Sequence, residues 1–393
     1  MANEKNDKLK ALNELKQKVN KKYGDKALMI GQDAINNGAL DNVVLPTPSI
    51  ELNNALYCGG FSGIVELFGP PASGKTSLAI ETLAKCQKED PNFIGLWVET
   101  EHSITEEILK QHGVDITRIA FADQAQVDSA ESVLDIAYAA VVHGDVDMVI
   151  VNSVAGFLPK QEYESDLDKQ NVGRTAQLMS KVFRKFTGPA GKNKISLIFI
   201  NQLRDKIGVM FGDPSTTTGG RALAFYADQR IRMSALKIQK EDPITAIEGV
   251  KIHCIIQKNR RAGMHNPYTE CTYYARFENG IDSTVGIPQI LEEKGIFERG
   301  GAYWYYPSKN NIQTIAGVEC KFKSKAELQQ VLHDNKAFLD AVSNLISVDS
   351  VSLEMKEEID KEEQNIKQEI EDAENLFKPE LSDEELAKEL GEE

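Results

Sequence analysis

The sequence predicts an α/β fold built on a mostly parallel, twisted sheet with helices on both faces. From about residue 37, short apolar runs alternate with helical stretches, a pattern typical of parallel strands buried on both faces. A glycine-containing loop stands between the first of these strands and the first long helix. Polar side chains follow the ends of later strands, which is where open α/β sheets bind their ligands.

The alternating pattern assigns the elements in chain order. Strands are predicted at residues 64–68, 93–98, 119–121, 148–151, 195–200 and 229–233, and helices at 77–86, 104–112, 129–142 and 173–186. Residues 251–257 and 269–277 are predicted to form an antiparallel pair across a loop that contains Gly263 and Pro267. A smaller mixed region is expected from residue 281 to about residue 348.

The N-terminal segment is predicted to be an amphipathic helix. Leu9, Leu12, Leu15 and Val19 recur at helical spacing, with lysines on the remaining faces. A lone helix of this kind needs a surface that covers its apolar stripe, and that surface belongs either to the core of the same chain or to a neighbouring subunit. The short apolar segment 27–30 is expected to add an edge strand to one of the two.

The 393-residue chain carries a formal charge of −15, but this charge is unevenly distributed. Residues 354–393 hold 17 Asp and Glu against 5 Lys, which leaves a charge of only −3 for the rest. Nucleic acid is therefore not excluded as a ligand, and the acidic tail is either a solvating, disordered end or a regulatory one.

Other features of the composition indicate a cytoplasmic protein. The five cysteines are scattered without a C-x-x-C pair, which predicts reduced thiols and argues against a disulfide or zinc framework. The N-terminus lacks the pattern of a secretory signal, and no apolar run approaches the length of a membrane span. A membrane partner is therefore not expected.

The first strand leads into a loop that matches the pattern G-x-x-x-x-G-K-[ST] at every fixed position. In this position between strand and helix, the backbone N–H groups of the loop and the helix N-terminus point towards a phosphate. The lysine reaches the β- and γ-phosphates, and the threonine hydroxyl serves Mg²⁺. The pattern predicts that a nucleoside triphosphate is bound by Gly69, Pro70, Pro71, Ala72, Ser73, Gly74, Lys75, Thr76 and the adjoining Ser77.

Three later strands end in side chains that suit phosphate chemistry. Glu99 and Glu101 follow the strand 93–98 and share one side if the chain stays extended; one carboxylate there is suited to orient and deprotonate water. The strand 148–151 ends in Asn152, where P-loop ATPases normally place an aspartate that helps to hold Mg²⁺. The strand 195–200 ends in Asn201 and Gln202, a neutral pair well placed to sense a γ-phosphate.

The segment 203–220 that follows Gln202 is unusual for a loop. It has cations at its start, an apolar centre flanked by glycines, and a threonine run at its end. It is either a buried apolar turn or a mobile loop that inserts apolar side chains between bases, while cations and backbone amides hold phosphates. The side chains in question are Arg204, Lys206, Ile207, Val209, Met210 and Phe211, together with Gly208.

These motifs together resemble those of the RecA family of bacterial recombinases, over roughly residues 3–348. The glycine loop alone is common to many ATPases, and the loop from Lys206 to Gly220 narrows the resemblance to this family. The matching motifs are the glycine loop 69–76, Glu101-His102, Phe199-Ile200-Asn201-Gln202, the run 206–212, Thr216-Thr217-Thr218-Gly219-Gly220 and Lys258-Asn259-Arg260.

The resemblance implies a DNA-dependent ATPase that forms a helical filament on single-stranded DNA, finds homologous duplex DNA and exchanges strands in recombinational repair. It implies ATP and Mg²⁺ as cofactors, with ATP at the interface between identical subunits. The N-terminal helix then becomes an arm that docks on the adjacent subunit. The location implied is the bacterial cytoplasm, or that of the bacterial host if the gene belongs to a phage.

The resemblance also implies roles for individual residues. The catalytic residues would be Glu101, which activates water, Lys75, and Gln202, which relays γ-phosphate occupancy to a second DNA loop from Leu203 to about Thr218. A first DNA loop is similar to residues 161–172. Lys258 and Arg260 would reach the nucleotide of the neighbouring subunit, in the manner of an arginine finger. DNA contacts would come from Arg174, Ser180, Arg184, Arg204, Lys206, Ile207, Gly208, Val209, Met210, Phe211, Gly219, Gly220 and Arg221.

The chain departs from the family pattern at several of these positions. Asn152 stands where the family has aspartate at the metal site, beside Thr76, and Glu99 is longer than the family's aspartate. Ile108 replaces a tyrosine that packs on adenine. Gln177 replaces an arginine in the first DNA region, where Arg174 nearby is suited to compensate, and Arg221 replaces an asparagine.

Two other functions are consistent with parts of the pattern. Asn152 is compatible with an ATP-gated filament that coats single-stranded DNA and hydrolyses ATP weakly. A ring helicase on the same core is disfavoured, because Lys258, Arg260 and the N-terminal arm fit a filament. We expect four segments: residues 1–36 as an oligomerisation helix and strand, 37–280 as the ATPase core with both DNA loops, 281–352 as a small C-terminal α+β domain, and 353–393 as an acidic disordered tail.

Overall fold

The computed structural model describes residues 2–166, 173–205, 215–240, 244, 247–305 and 314–347. The chain divides into two compact units, Met1–Gly286 and Ile287–Glu393. The finer division into four functional segments stays a prediction. The predicted acidic tail, residues 353–393, lies outside the described residues.

The first unit alternates strands and helices as the sequence predicts. In chain order it contains α1 (Ala2–Tyr23), α2 (Gly31–Asn36), α3 (Ile50–Ala55), β1 (Ile64–Gly69), α4 (Lys75–Glu89), β2 (Gly95–Glu99), α5 (Glu106–Gln111), β3 (Ile119–Asp123), α6 (Ala130–His143), β4 (Met148–Asn152), α7 (Lys160–Tyr163), α8 (Arg174–Asn193), β5 (Ser196–Asp205), β6 (Ser215–Thr217), α9 (Arg221–Tyr226), β7 (Gln229–Leu236), β8 (Gly249–Asn259), β9 (Glu270–Arg276) and β10 (Gly280–Ile281).

These strands form one large sheet in the order β10-β9-β8-β7-β1-β5-β4-β2-β3, with β6 paired to β5. The segment from β7 to β3 is parallel, whereas β7, β8, β9 and β10 pair antiparallel. The predicted, mostly parallel sheet and the predicted antiparallel pair β8–β9 are both confirmed. Because β1, β2, β4 and β5 run parallel, their carboxyl ends lie together along one edge.

Burial on both faces explains why the strands are apolar throughout. Every residue of β1, β2 and β4 is buried. On one face Leu67 and Trp97 share a core with Leu78 of α4. On the other face Val98 and Val149 share a core with α6 and α8. Successive side chains alternate between these two cores, and each large apolar side chain buried contributes about 1.5–3 kcal/mol.

Residues 27–30 form no strand within their own chain, and the other alternative, a strand added to a neighbouring subunit, stays a prediction. The side chain of Asn20 accepts from the N–H of Leu28 at 2.8 Å and donates to its carbonyl at 3.1 Å. The backbone groups of Leu28 are therefore used by a side chain of α1. The helix α2 follows, and Asp33 on it pairs with Lys16 of α1.

The second unit is a small α+β arrangement, as predicted. It contains α10 (Ile287–Glu293), β11 (Glu298–Gly300), β12 (Tyr303–Tyr305), β13 (Thr314–Ile315), β14 (Val318–Glu319), β15 (Lys321–Phe322), α11 (Lys325–Asp334) and α12 (Lys336–Ser347). The strands β11, β12 and β15 form one antiparallel sheet. Aromatic rings of Phe297, Phe322 and Phe338 pack in its core.

A search of the described helices for one long and apolar enough to span a membrane found none.

Candidate active site

The phosphate loop connects β1 to α4 in a conformation that requires its glycines. Gly74 adopts φ +79°, in the left-handed region where side chains cause strain. A Cβ on Gly69 would lie 2.0 Å from the carbonyl oxygen of Met233, so no larger residue fits there. The conformation of the loop therefore requires the two glycines of the sequence pattern, Gly69 and Gly74.

Lys75 lies inside this loop and is almost fully buried. Its ammonium group donates to the carbonyl oxygens of Gly69 (3.2 Å) and Pro70 (2.7 Å) and to the hydroxyl of Ser73 (3.0 Å). Burial lowers the pKa of Lys75, and the carboxylate of Glu101 acts in the opposite direction. The cation is thus fixed at the loop, where the sequence predicts the β- and γ-phosphates. Thr76 and Ser77 follow in the first turn of α4, half-buried.

Glu101 and Gln202 come together at the sheet edge, although they are far apart in the sequence. The side-chain amide of Gln202 donates to Glu101 Oε1 at 2.9 Å. Ser153, which follows β4, donates to the same oxygen through its hydroxyl. Sequence reasoning missed Ser153 as a site residue, although its position directly after Asn152 at a strand end was a usable signal.

Glu99 and Glu101 do not share one side, because the chain does not stay extended beyond Glu99. Strand β2 ends at Glu99, and the N–H groups of Thr100 (3.0 Å) and Glu101 (2.7 Å) both donate to Glu99 Oε1. The chain therefore turns around the Glu99 carboxylate. Glu99 is 6% exposed, whereas Glu101 is exposed to solvent.

The groups that surround Glu99 are neutral. Besides the two backbone N–H groups, the indole of Trp97 donates at 2.8 Å, and the amide of Asn152 lies 3.3–3.4 Å from both carboxylate oxygens. In the described part of the chain, no Lys, Arg or His forms an ion pair with Glu99. Hydrogen bonds to the ionised form favour a buried carboxylate, and here they leave its charge uncompensated.

Asn152 has an oxygen suited to face a cation. The residue is completely buried; its amide nitrogen donates to Ser103 at 3.0 Å and lies near Glu99, but Oδ1 has no hydrogen-bond partner. Within the residues that the structure describes, no cluster of three or more His, Cys, Asp or Glu could hold a metal. Few protein oxygens are needed for Mg²⁺, because it usually binds one or two protein groups together with substrate phosphates and water. Asn152 Oδ1, the Glu99 carboxylate and the Thr76 hydroxyl fit that pattern.

The predicted second DNA loop rises from the same strand that carries Gln202. Strand β5 continues to Asp205, and β6 returns antiparallel to it, with Leu203 opposite Thr217 and Arg204 opposite Thr216. The centre of the predicted loop, Lys206, Ile207, Gly208, Val209, Met210 and Phe211, lies outside the described residues. The described base of the loop is therefore a direct extension of the strand that ends at the phosphate loop.

A buried carboxylate that sequence reasoning missed holds this base. Glu66 on β1 accepts from Asn201 Nδ2 at 2.9 Å and from Arg230 Nε at 2.5 Å. Asn201 Nδ2 also donates to the carbonyl of Thr218 at 2.9 Å. A glutamate within the apolar run Ile64-Val65-Glu66-Leu67-Phe68 was the available signal.

The glycine pair after the loop lies against α8, which carries other predicted DNA contacts. A Cβ on Gly220 would lie 2.8 Å from Cβ of Ala176, and one on Gly219 would lie 3.1 Å from the side chain of Met179. The structure therefore brings Gly219, Gly220 and α8 together. On this helix Arg174 is half-buried in the first turn, the Ser180 hydroxyl donates to the Ala176 carbonyl, and Arg184 is exposed; Arg204 and Arg221 are exposed as well.

The predicted interface pair lies away from the phosphate loop of its own chain. Lys258 on β8 is opposite Arg230 on β7, which places it two strands from β1 at the level of Glu66. The Lys258 ammonium donates to the carbonyls of Ala224 (2.9 Å) and Phe225 (2.7 Å), and Arg260 donates to that of Phe225 at 3.0 Å. Burial, with a smaller contribution from the Arg260 cation, lowers the pKa of Lys258 to about 8.

Ile108 is half-buried on α5, where it packs against the core beneath α4. The hydroxyl of Thr105 accepts from the N–H of Ile108 at 3.2 Å and caps the helix. Its predicted contact with adenine stays a prediction.

The chain is similar to known proteins over most of its length. Residues 10–282 match the family model described as the RecA N-terminal domain. The chain is 34% identical over 334 residues to Protein RecA of Mesomycoplasma hyopneumoniae, covering 84% of this chain and 94% of that protein. It is 35% identical over 329 residues to Protein RecA of Bacteroides thetaiotaomicron (83% and 96% covered). For Protein RecA of Chloroherpeton thalassium the identity is 36% over 327 residues (82% and 88% covered).

Proposed function

The chain belongs to the RecA family, and from that premise we propose that it is an ATP-dependent recombinase that forms a filament on single-stranded DNA and catalyses homologous pairing and strand exchange. One observation carries the proposal. Gln202 contacts Glu101 at the predicted hydrolysis site, and the strand that carries Gln202 continues into the base of the predicted DNA loop. ATP occupancy and DNA contact would therefore act on the same strand.

Residues of the phosphate loop and of three strand ends would perform separate parts of ATP hydrolysis. Lys75 and the backbone N–H groups of the loop bind the phosphates and stabilise the charge that develops on them. Mg²⁺, held by Thr76 and Asn152 with the Glu99 charge nearby, would neutralise phosphate oxygens. Glu101 is exposed beside the loop and is suited to accept a proton from the attacking water. The hydrogen bonds from Ser153 and Gln202 orient its carboxylate.

We propose that DNA lies across α8 and the glycine pair. Gly219 and Gly220 both have positive φ and pack closely against this helix, and Gly220 is exposed beside it. Arg184, Arg204 and Arg221 are exposed in this part of the chain and would contact phosphates. Such contacts dominate affinity and make it depend on salt.

Two exposed features support assembly into a filament. Leu9, Leu12 and Leu15 on α1 are 48%, 39% and 50% exposed, and an apolar stripe left in water favours a partner surface. Lys258 and Arg260 hold carbonyl groups instead of the phosphate loop of their own chain. We propose that they reach the γ-phosphate bound by the adjacent subunit.

One observation favours an alternative, an ATP-gated filament that coats DNA with weak hydrolysis. Asn152 lacks the negative charge that an aspartate would provide for the metal. The buried Glu99 carboxylate beside it weighs against this alternative, because it supplies a negative charge at the same strand ends.

The proposed function is tested by strand exchange between single-stranded DNA and labelled duplex, with ATP and Mg²⁺ or with a non-hydrolysable analogue. We expect pairing with homologous duplex and none with unrelated duplex of equal length. Lys75→Ala should abolish pairing, whereas Lys85→Ala on the same helix should retain it, because Lys85 pairs only with Glu89 at the surface. Filaments that form on single strands but never pair homologous duplex would support the coating alternative and contradict the recombinase.

A further inference from the structure

Glu66 is the only charged residue of β1, and it is completely buried three residues before the phosphate loop. Its two carboxylate oxygens are used by different partners: Oε1 accepts from Asn201, and Oε2 accepts from Arg230. Burying a carboxylate is unfavourable unless it is paired and hydrogen-bonded. The exposed fraction of Glu66 is 0%, so these two partners stabilise its charge in place of water.

Asn201 connects Glu66 to the nucleotide site and to the DNA loop. Its amide nitrogen donates both to Glu66 and to the Thr218 carbonyl, and its Oδ1 accepts from the backbone N–H of Gln202 at 2.9 Å. An amide offers two N–H donors, and both are used here. Asn201 therefore cannot turn without breaking one of these bonds. A shift of Gln202 either moves Thr218 at the loop exit or breaks the link through Asn201.

Arg230 connects Glu66 to the predicted interface pair. Its guanidinium stacks over the Phe68 ring, 4.7 Å from the centroid, and its backbone lies opposite Lys258 across β7 and β8. Among the smaller influences on the Lys258 pKa, Arg230 lowers it and Glu66 raises it. The Glu66–Arg230 pair therefore lies directly across the strand pair from the cation that would serve the neighbouring subunit.

We propose that Glu66 and Arg230 are positioning residues that couple three sites: the γ-phosphate sensor Gln202, the exit of the second DNA loop at Thr218, and the interface cation Lys258. The inference rests on the proposed function, because it presumes that ATP and DNA bind at the sites described. Neither residue touches the reacting atoms. Through the buried Glu66 carboxylate, a movement of one of these three groups would change the positions of the other two.

Glu66→Gln tests this coupling, with Asp282→Asn as a matched control. The Asp282 side chain is 6% exposed, and it pairs with Arg276 Nε at 2.7 Å and with Thr284, but it is part of none of the three sites. Two quantities are measured for each variant: the factor by which single-stranded DNA stimulates ATP hydrolysis, and the factor by which a non-hydrolysable ATP analogue tightens binding of a fluorescent single strand.

We expect Glu66→Gln to keep DNA-free hydrolysis while both factors fall by about tenfold, within the usual range of coupling between sites. Both factors should fall, because both depend on the link from Gln202 through Asn201 to Thr218. Asp282→Asn should keep both factors, even if its melting temperature falls as much. Arg230→Lys, which keeps the cation but cannot reproduce the geometry of the guanidinium, should give a smaller loss in the same direction.

Unchanged factors in Glu66→Gln would overturn the inference, and so would an equal loss in Asp282→Asn, which would indicate general loosening. If Glu66→Gln does not fold by circular dichroism, Arg230→Lys decides by the same criteria. Absence of DNA stimulation in the unmodified protein would overturn the proposed function and this inference with it. If Glu66→Gln keeps the full stimulation by DNA, only the inference about Glu66 is overturned, and the proposed function stands.

Discussion

Two buried glutamates lie near the same edge of the sheet, and they have opposite surroundings. Glu66, on β1 between β7 and β5, accepts from the guanidinium of Arg230, so its charge is neutralised within the core. Glu99, at the end of β2 beside β4, accepts from an indole and from backbone and amide N–H groups, all of them neutral. The residue type is the same, and the charge of the donors differs.

This difference separates a structural carboxylate from one available to a ligand. Hydrogen bonds from neutral donors stabilise a carboxylate without cancelling its charge. The field of Glu99 therefore extends to the orphaned oxygen of Asn152, whereas the field of Glu66 is largely cancelled by Arg230. A cation such as Mg²⁺ would be attracted to the first region and not to the second.

The largest expected effect distinguishes Glu99 from its exposed neighbour. Glu101→Gln should reduce DNA-stimulated ATP hydrolysis by about 10²–10⁴-fold, the usual contribution of a general base, while nucleotide binding is kept. Hydrolysis is measured by phosphate release and binding with a fluorescent nucleotide. Glu107→Gln, an exposed acid on the next helix, serves as the control. Full activity in Glu101→Gln would move the base role to another residue, with Glu99 the nearest candidate.

A third buried glutamate sharpens the comparison, because it has neither a cation nor a full set of donors. Glu51 on α3 accepts from the Ser49 hydroxyl at 2.9 Å, but its Oε1 has no hydrogen-bond partner. Burial raises the pKa of Glu51 to about 7, above its ordinary value of 4.5. A raised pKa in the folded state means that the stabilising contribution is full below 4.5 and is lost as the pH rises through about 7.

Glu51→Gln should remove this pH dependence. Relative to the unmodified protein, the variant should gain about 2 kcal/mol in free energy of unfolding between about pH 5.5 and about pH 8. Denaturant titrations of both proteins at the two pH values measure the difference. A constant difference across this range would show that Glu51 does not change its protonation state there.

The smallest expected effect concerns the metal. Glu99→Gln should weaken Mn²⁺ binding in the presence of a non-hydrolysable ATP analogue by about tenfold, as is typical for groups next to metal ligands. Electron paramagnetic resonance measures bound Mn²⁺ without relying on hydrolysis. Adding Asn152→Asp to Glu99→Gln returns one negative charge to the same pair and should restore the affinity. Equal affinities in all three proteins would mean that the Glu99 charge does not contribute to the metal site.

Features that depend on local sequence pattern were predictable. The strands and the phosphate loop follow from apolar runs and glycine spacing, and the parallel sheet then places Glu101 and Gln202 at one edge. Their position at one edge was expected from this logic, whereas their hydrogen bond at 2.9 Å is a finding of the structure. The segment 27–30 marks the limit, because the pattern did not decide between the two surfaces, and within its own chain Leu28 bonds to the side chain of Asn20 and to no strand.

Features that depend on register were not predictable. Glu66 and Arg230 are 164 residues apart in the sequence, and they meet only because β7 pairs with β1 in one register. The environment of Glu99 depends on the exact residue at which β2 ends, since one more extended residue would have turned Glu101 inward. A sequence pattern locates strands to within a few residues, which is too coarse to decide either case.

Lys258 and Arg260 donate hydrogen bonds to the carbonyl groups of Ala224 and Phe225. These bonds would affect how fast subunits assemble. Long cationic side chains carry about 2 kcal/mol of rotamer entropy each, and a flexible pair would lose it when a subunit joins. Here both side chains already bond to carbonyl oxygens of their own chain, so part of this ordering precedes any encounter. A growing filament end would therefore present two partly ordered cations, and an arriving nucleotide-bound subunit would replace the carbonyl groups as their hydrogen-bond partner.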